Sequence, residues 1–114
     1  MKKTEMLKKN YEFKNVLNRG KYYSGNYIEV FIKKNKKNIN FLGIAISSKA
    51  GNAVERNHLK RLIRENYKNI EEQMQTGYDI VFLWKKKRDI RRACYCDIQA
   101  DFEKILKKAQ IIKG

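Results

Sequence analysis

The sequence predicts an α+β fold, a small sheet with helices packed on it in the order α-β-β-α-β-α. Two segments, 53–74 and 95–109, repeat apolar residues at the three- and four-residue spacing of an amphipathic helix. Three shorter segments, bounded by turn residues, have the composition of strands: 26–34, 40–47 and 78–84. The 114 residues include no proline, repeat or low-complexity linker, so we expect one domain over residues 1–114.

A short helix over residues 10–19 is the first predicted element. Asn10 is suited to cap this helix, because its side-chain oxygen can accept from the free amides of the first turn. Phe13 and Leu17 are four residues apart and lie on the face that should point inward. Gly20 then provides the C-terminal stop.

The strand over residues 26–34 alternates, so its two faces differ. One face carries Ile28, Val30 and Ile32, and the other carries Tyr27, Glu29 and Phe31. The strand over 40–47 is predicted to run antiparallel to it, and Gly43 in its middle indicates a close approach by backbone or ligand. The strand over 78–84 is apolar on both sides, which predicts a strand covered on both faces.

The segment 49–65 is the most informative part of the chain. Asn52 is a good N-cap, and Glu55 can reach back to the Asn52 amide as in a capping box. Beyond this start, the apolar residues of the helix recur on one side: Leu59, Leu62, Ile63, Tyr67, Ile70 and Met74. The polar residues project across an arc of roughly 140°, at about 100° per residue: Arg56, Asn57, Lys60, Arg61 and Arg64. Such crowded like charges repel each other unless a polyanion lies against them.

The overall charge supports the same interpretation. Lys and Arg number 27 against 12 Asp and Glu, giving +15 and a pI near 9.9, and they cluster at the helix and in loops 33–38 and 85–92. This excess predicts a polyanionic partner. No segment has the roughly 20 apolar residues of a spanning helix, and the N-terminus lacks a signal-peptide core. We therefore expect a cytoplasmic protein that binds nucleic acid and no membrane.

No catalytic constellation is evident in the sequence. His58 is the only histidine, and Cys94 and Cys96 offer two ligands where a structural zinc site needs four, so we expect reduced thiols and no metal. By contrast, Phe13, Tyr27 and Phe31 beside cationic clusters suit single-stranded nucleic acid, since bases stack on rings while cations follow phosphates. The alternative is that both sheet faces are simply core.

The segment 49–65 resembles the signature of the protein subunit of bacterial ribonuclease P, Lys-x-Gly-x-Ala-Val-x-Arg-Asn-Arg-x-x-Arg-x-x-Arg-Glu. The resemblance covers nearly the whole chain in the right order. Asn10-x-x-Phe13-x-x-Val16-x-x-x-Gly20 is similar to the N-terminal helix of that family, and Phe41–Ser47 and Tyr78–Val81 are similar to the strands that flank the signature.

The resemblance implies a function in tRNA maturation and a left-handed β-α-β crossover. The holoenzyme of that family removes the 5′ leader of precursor tRNA, and its catalytic centre with Mg²⁺ belongs to an RNA subunit, so no catalytic residue is expected in the protein. The implied partners are the ribonuclease P RNA and precursor tRNA, without an obligate protein partner. The implied RNA-subunit patch is Lys49, Arg56, Asn57, His58, Lys60, Arg61 and Arg64. The expected leader cleft is Phe13, Leu17, Tyr27, Phe31 and Ser47, with Lys49 at its edge.

Two residues depart from the family pattern. His58 replaces the second arginine of the Arg-Asn-Arg triplet, and an unperturbed imidazole brings no fixed charge at neutral pH. Leu17 stands where many relatives have a second aromatic ring. Two other classes stay open from composition alone: a structural RNA-binding protein, such as a ribosomal protein, and a reader of duplex DNA that places the basic helix in a major groove.

Overall fold

A computed structural model describes residues 3–113 and confirms the α+β class. In the described part of the chain, two short 3₁₀ turns, Glu71–Gln73 and Ile90–Arg92, accompany three α-helices and five strands. In chain order these are β1 (Thr4–Met6), α1 (Asn10–Arg19), β2 (Lys21–Ser24), β3 (Ile28–Lys34), β4 (Asn40–Ala45), α2 (Ala53–Ile70), β5 (Tyr78–Trp84) and α3 (Tyr95–Lys108).

Two strands, β1 and β2, are absent from the order predicted by the sequence. They are the two edge strands of the sheet, whose spatial order is β1-β4-β5-β3-β2. β1 has three residues, too few to show an alternation, and β2 exposes Lys21, Tyr22 and Ser24. Edge strands of this kind form because a neighbouring strand offers free backbone groups, so their own side chains carry little signal.

The pairing of the central strands also differs from the simplest expectation. β3 and β4 run in opposite directions, as predicted, but β5 lies between them and they share no ladder. β5 is antiparallel to β3, with Ile28 opposite Trp84, and parallel to β4, with Ala45 opposite Leu83. β4, α2 and β5 thus form the β-α-β unit implied by the resemblance, and its left hand stays a prediction.

The two faces of the sheet are covered differently. We call the face under α2 and α3 the closed face. It buries Ile28, Val30 and Ile32 of β3 with the apolar stripes of both helices, which confirms the predicted helix faces. Aromatic rings pack at its centre, where Phe82 stacks on Phe102 with ring centroids 4.5 Å apart. The other face, which we call the open face, is covered by α1 alone.

The helix ends required three corrections. α1 includes Asn10, and the preceding residue Lys9 is the N-cap, so the predicted cap is wrong. Glu12 supports this end instead, since its carboxylate accepts from the N–H groups of Lys8 and Lys9 at 3.0 and 2.8 Å. Helix α2 ends at Ile70 and continues as a 3₁₀ turn, and α3 ends one residue earlier than predicted.

Candidate nucleic-acid interface

The start of α2 has the capping box that the sequence predicts. The Asn52 side-chain oxygen accepts from the Glu55 N–H at 2.8 Å, and the Glu55 carboxylate accepts from the Asn52 N–H at 2.9 Å. Two of the amides left free at a helix N-terminus are thereby satisfied within the chain. The basic residues of the next two turns therefore project from a fixed helix end.

Arg56 has a structural contact that the sequence did not reveal. Its Nη1 donates to the backbone carbonyls of Gly51 at 2.6 Å and Ser48 at 3.3 Å, and the side chain is half-buried. Arg56 thus clamps the loop before α2 onto the helix. The guanidinium has five N–H groups, so its remaining donors can still meet a phosphate while the loop is held.

The other predicted patch residues present free polar groups. Lys49, Asn57, His58, Arg61 and Arg64 are exposed, and Lys60 is half-buried. Among residues 3–113 the one side-chain ion pair joins Asp89 and Arg91, at 3.2 Å, so the cations of the patch have no acidic partner there. A row of unpaired cations on a rigid helix is an electrostatic footprint for a polyanion.

The two basic loops, at residues 35–39 and 85–92, lie at opposite ends of the sheet. β4 and β5 are parallel, so the loops that follow them, 46–52 and 85–92, are at the same end. Ile90 packs near Gly51, where an added Cβ would be 2.9 Å from the Ile90 Cγ2. Loop 85–92 therefore extends the patch on α2. Loop 35–39 follows β3, which runs the other way, and lies beside Gly77 at the far end of the sheet.

An open groove, which we call the first groove, runs between α1 and the end of β4. It brings together Phe13 of α1, Ser47 beyond β4 and Lys60 of α2. Its remaining lining residues are Asn10, Lys14, Ile44, Ala45, Ile46 and Leu83. Lys60 was predicted as an RNA-subunit contact, and its position here joins the groove to the cationic patch.

The aromatic and apolar residues predicted for the cleft cluster on the open face. Phe13, Leu17 and Phe31 are all half-buried and pack against a small buried cluster that includes Val16 and Val81. The Phe31 ring also meets that of Tyr22, with centroids 5.2 Å apart. The sequence therefore predicted correctly that these three side chains lie together, although only Phe13 lines the first groove itself.

Gly43 is closely approached, as predicted, but by side chains rather than by backbone or ligand. A Cβ at this position would lie 2.5 Å from the Phe13 Cε1 and 3.0 Å from the Leu7 Cδ1. Glycine is therefore required for α1 to seat its phenylalanine directly on β4. The contact fixes the height of α1 above the open face.

The assignment of Tyr27 to the cleft is wrong. Its ring packs against Trp84 at 6.0 Å between centroids, beneath the Arg88 guanidinium at 4.7 Å, and belongs to the core of the closed face. The alternation fails because Tyr27 precedes β3. The buried Asp101 carboxylate accepts the N–H groups of residues 26, 27 and 28 at 2.9, 2.7 and 3.1 Å, which holds the chain in a bend. That carboxylate comes from α3 and leaves no local signal.

The groove also contains residues that sequence reasoning missed. Asn10 and Lys14 flank Phe13 on α1, and Leu83 lies on β5. Leu83 could have been found, since alternation places it on the same strand face as Val81. Lys14 could have been predicted from its spacing on α1 only if the position of the groove had been known.

Residues 3–113 show no metal site beside the groove and the patch. Within residues 3–113 no cluster of three or more His, Cys, Asp or Glu side chains has the proximity to hold a metal ion. Cys94 and Cys96 are exposed free thiols, and the Cys94 thiol donates to the Asp97 carboxylate at 3.1 Å. Over the same range no helix has the length and apolar character needed to cross a membrane.

A rigid cationic helix joined to a groove that contains the Phe13 ring is typical of an α+β protein of the RNA-binding class. The Ribonuclease P family model matches residues 1–110. The chain is 44% identical over 110 residues to the ribonuclease P protein component of Clostridium botulinum, covering 96% of this chain and 97% of that protein. With the family model spanning nearly its whole length, the chain belongs to the Ribonuclease P protein family.

Solved structures agree with this assignment. The RNase P protein from Thermotoga maritima superimposes with a TM-score of 0.82 at 29% identity, covering 96% of this chain and 99% of that one. The RNase P protein of Staphylococcus aureus gives 0.79 at 32% identity, with 95% and 97% covered. The fold derived from the local physics is thus the fold of this family.

Proposed function

We propose that this chain is the protein component of ribonuclease P, where it binds the RNA subunit and the 5′ leader of precursor tRNA and assists leader removal. One observation carries the proposal: a row of cations on α2, without acidic partners among residues 3–113, is continuous through Lys60 with the first groove, which contains the Phe13 ring. A cationic surface suits folded RNA, and stacking platforms suit an unpaired strand.

Each part of the surface then has a role. Lys49, Arg61 and Arg64 neutralise phosphates of the RNA subunit and release counterions. Leader bases lie against the rings of Phe13 and Phe31. Because one rigid body holds both RNAs, the leader is fixed relative to the RNA subunit, and substrate with a leader gains affinity over the leaderless product.

The catalytic centre in this proposal belongs to the RNA subunit, which also binds the Mg²⁺ that the holoenzyme needs. The first groove does not fit that ion, since its lining residues supply hydroxyl, amide, ammonium and apolar groups but no carboxylate. Mg²⁺ in proteins is usually held by one or two carboxylates together with phosphates and water. The protein supplies binding and orientation, acts in the cytoplasm and needs no obligate protein partner.

Reconstitution tests the proposal directly. The protein is mixed with a bacterial ribonuclease P RNA and precursor tRNA at an Mg²⁺ concentration at which the RNA alone is nearly inactive. Faster leader removal is the expected result. A structural RNA-binding protein from another assembly would give no stimulation, and that outcome would overturn the proposal. Efficient displacement of the RNA subunit by duplex DNA would instead favour the DNA-reader class.

The patch on α2 can be tested separately from catalysis. Arg61→Ala and Arg64→Ala should each weaken binding of the RNA subunit by about 1–3 kcal/mol, because each removes charge-assisted contacts to phosphate. Lys108→Ala is a matched control, an exposed cation at the C-terminal end of α3. Filter binding at fixed salt measures all three variants. Equal affinities for all three would place the RNA subunit on another surface.

A further inference from the structure

The open face carries a second groove, on the other side of α1 from the first. It is lined by Leu7, Tyr11, Glu12, Asn15, Lys37, Phe41 and Asp79. Phe13 and Leu7 meet above Gly43 and close the face between the two grooves. A strand leaving the first groove, past Asn10 and Lys14, would cross the ridge of α1 and reach the second.

The second groove pairs aromatic rings with ammonium groups. Tyr11 is 67% exposed, and the Lys9 Nζ lies 5.7 Å from its ring centroid. Phe41 is half-buried at the floor, with the Lys37 Nζ 5.2 Å from its ring centroid. A ring that stacks a base beside a cation that meets its phosphate is the recurring unit of single-strand binding. The exposed ring of Tyr11 contributes little to the core and is accessible to a base.

Two carboxylates in the groove are already engaged within the protein. Glu12 accepts two backbone N–H groups, chiefly that of Lys9, and these bonds lower the pKa of its carboxyl, with the Lys37 charge adding to the effect. Asp79 accepts from the Asn35 side-chain amide at 2.9 Å. Lys9 and Lys37 lie against the rings of the groove, and Lys8 and Lys36 are their neighbours in sequence, so basic residues outnumber these two acids. The balance favours an anionic strand, whose bases could donate amino hydrogens to the carboxylates.

The spacing of the two grooves suits one continuous strand. Phe41 and Ala45 point to the same face of β4, four residues apart, which corresponds to about 13 Å at 3.3 Å per residue. A few nucleotides of extended RNA span that separation. The basic loop 35–39, at the far end from the α2 patch, would then meet the same strand rather than the RNA subunit.

We propose that the second groove binds single-stranded RNA of the leader, upstream of the nucleotides held in the first groove, with a base stacked on Tyr11. This inference rests on the proposed function and adds a second leader subsite to it. It predicts that the protein senses leader length, because a short leader fills only the first groove.

The test compares two precursor tRNAs, with leaders of about 5 and about 15 nucleotides, bound to the reconstituted holoenzyme. Tyr11→Ala should weaken binding of the long-leader substrate by about 5- to 100-fold, the effect of one lost base stack, and leave the short-leader substrate unchanged. Tyr11→Phe keeps the ring and should bind both substrates as the unchanged protein does. Lys37→Ala should reproduce the leader-length dependence with a smaller loss.

Two results would overturn the second subsite: equal losses for both substrates with Tyr11→Ala, or no loss for either. The proposed function is judged by a separate variant, Phe13→Ala, which should weaken binding of both substrates while affinity for the RNA subunit is retained. If Phe13→Ala changes the affinity for neither substrate, the proposal that the protein binds the leader is wrong. Circular dichroism of each variant checks that α1 is intact.

Discussion

The two faces of the sheet contrast in how completely they are covered. On the closed face, side chains such as Ile28, Phe82 and Ile98 are fully buried beneath two helices. On the open face, Val16 of α1 and Val81 of β5 are fully buried in one cluster, whereas Phe13 of α1 and Phe31 of β3 are half-buried. The comparison teaches that the fully buried core lies on one side of the five-stranded layer and the proposed leader contacts lie on the other, with β5 contributing side chains to both.

The largest expected effect is a loss of stability from a substitution on the closed face. Phe82→Ala should destabilise the protein by about 3–5 kcal/mol, because it removes a ring stacked on Phe102 and leaves a cavity. Urea unfolding measures the loss. Phe31→Ala is the matched change on the open face and should cost clearly less, since its ring is only partly buried. Equal losses would mean that the two faces do not differ in the way described.

Alkaline pH should weaken the closed face through Tyr67. Burial raises the pKa of its phenol to about 12, from the model-compound value of 10.0. Between pH 10 and 12 the unfolded chain loses this proton before the folded protein does. The contribution of Tyr67 to the free energy of unfolding is therefore complete below pH 10 and is lost as pH rises, by roughly 3 kcal/mol at most. Comparison with Tyr67→Phe isolates this phenol from other groups. A protein and variant with parallel stability curves from pH 9 to 12 would contradict it.

On the open face, Phe31→Ala should act on RNA rather than on folding. Leader-bearing precursor tRNA should bind the holoenzyme about 1–3 kcal/mol less tightly, because a stacking ring is lost. Affinity for the RNA subunit should stay nearly constant, because Phe31 lies on the open face whereas α2 packs on the closed face. Equal losses on both measurements would show that Phe31 is only a core residue.

The smallest expected effect comes from adding an aromatic ring to the open face. Leu17 packs with Phe13 and Phe31 on the open face and is half-buried. Leu17→Phe should extend the aromatic surface and strengthen leader binding by up to about 1 kcal/mol, the low end for one added stack. Competition between the two holoenzymes for one labelled precursor measures the gain. Weaker binding would indicate that leucine is needed there for packing.

Much of the fold could be predicted from spacing alone. The apolar stripes of α2 and α3 and the Asn52 capping box depend on neighbours three or four residues away, which a single sequence displays. β1 could not be found because its three residues pair with Asn40–Leu42, which lie far along the chain. β2 pairs with the next strand, β3, but it is a short edge strand whose residues are mostly exposed, so it shows no apolar alternation. Tyr27 was placed on the wrong face because the carboxylate that bends its backbone lies 74 residues further along.

The candidate site shows the same division. The cationic row could be predicted because charge and helical period are local properties. The clamp that Arg56 forms on Gly51 and Ser48, and the position of Lys60 in the first groove, depend on how a loop and a sheet edge meet the helix. A resemblance names such residues as functional but does not separate those that hold the loop from those that meet RNA.

The position of β5 has a consequence for biogenesis. The last strand to leave the ribosome is the one that must enter between two earlier ones, so residues 28–45 can form no lasting layer until residue 84 has been made. Such non-local closure slows folding and exposes strand edges in the meantime. Because α2 precedes β5 in the chain, a nascent copy carries its basic helix before the central strand of its sheet has been made.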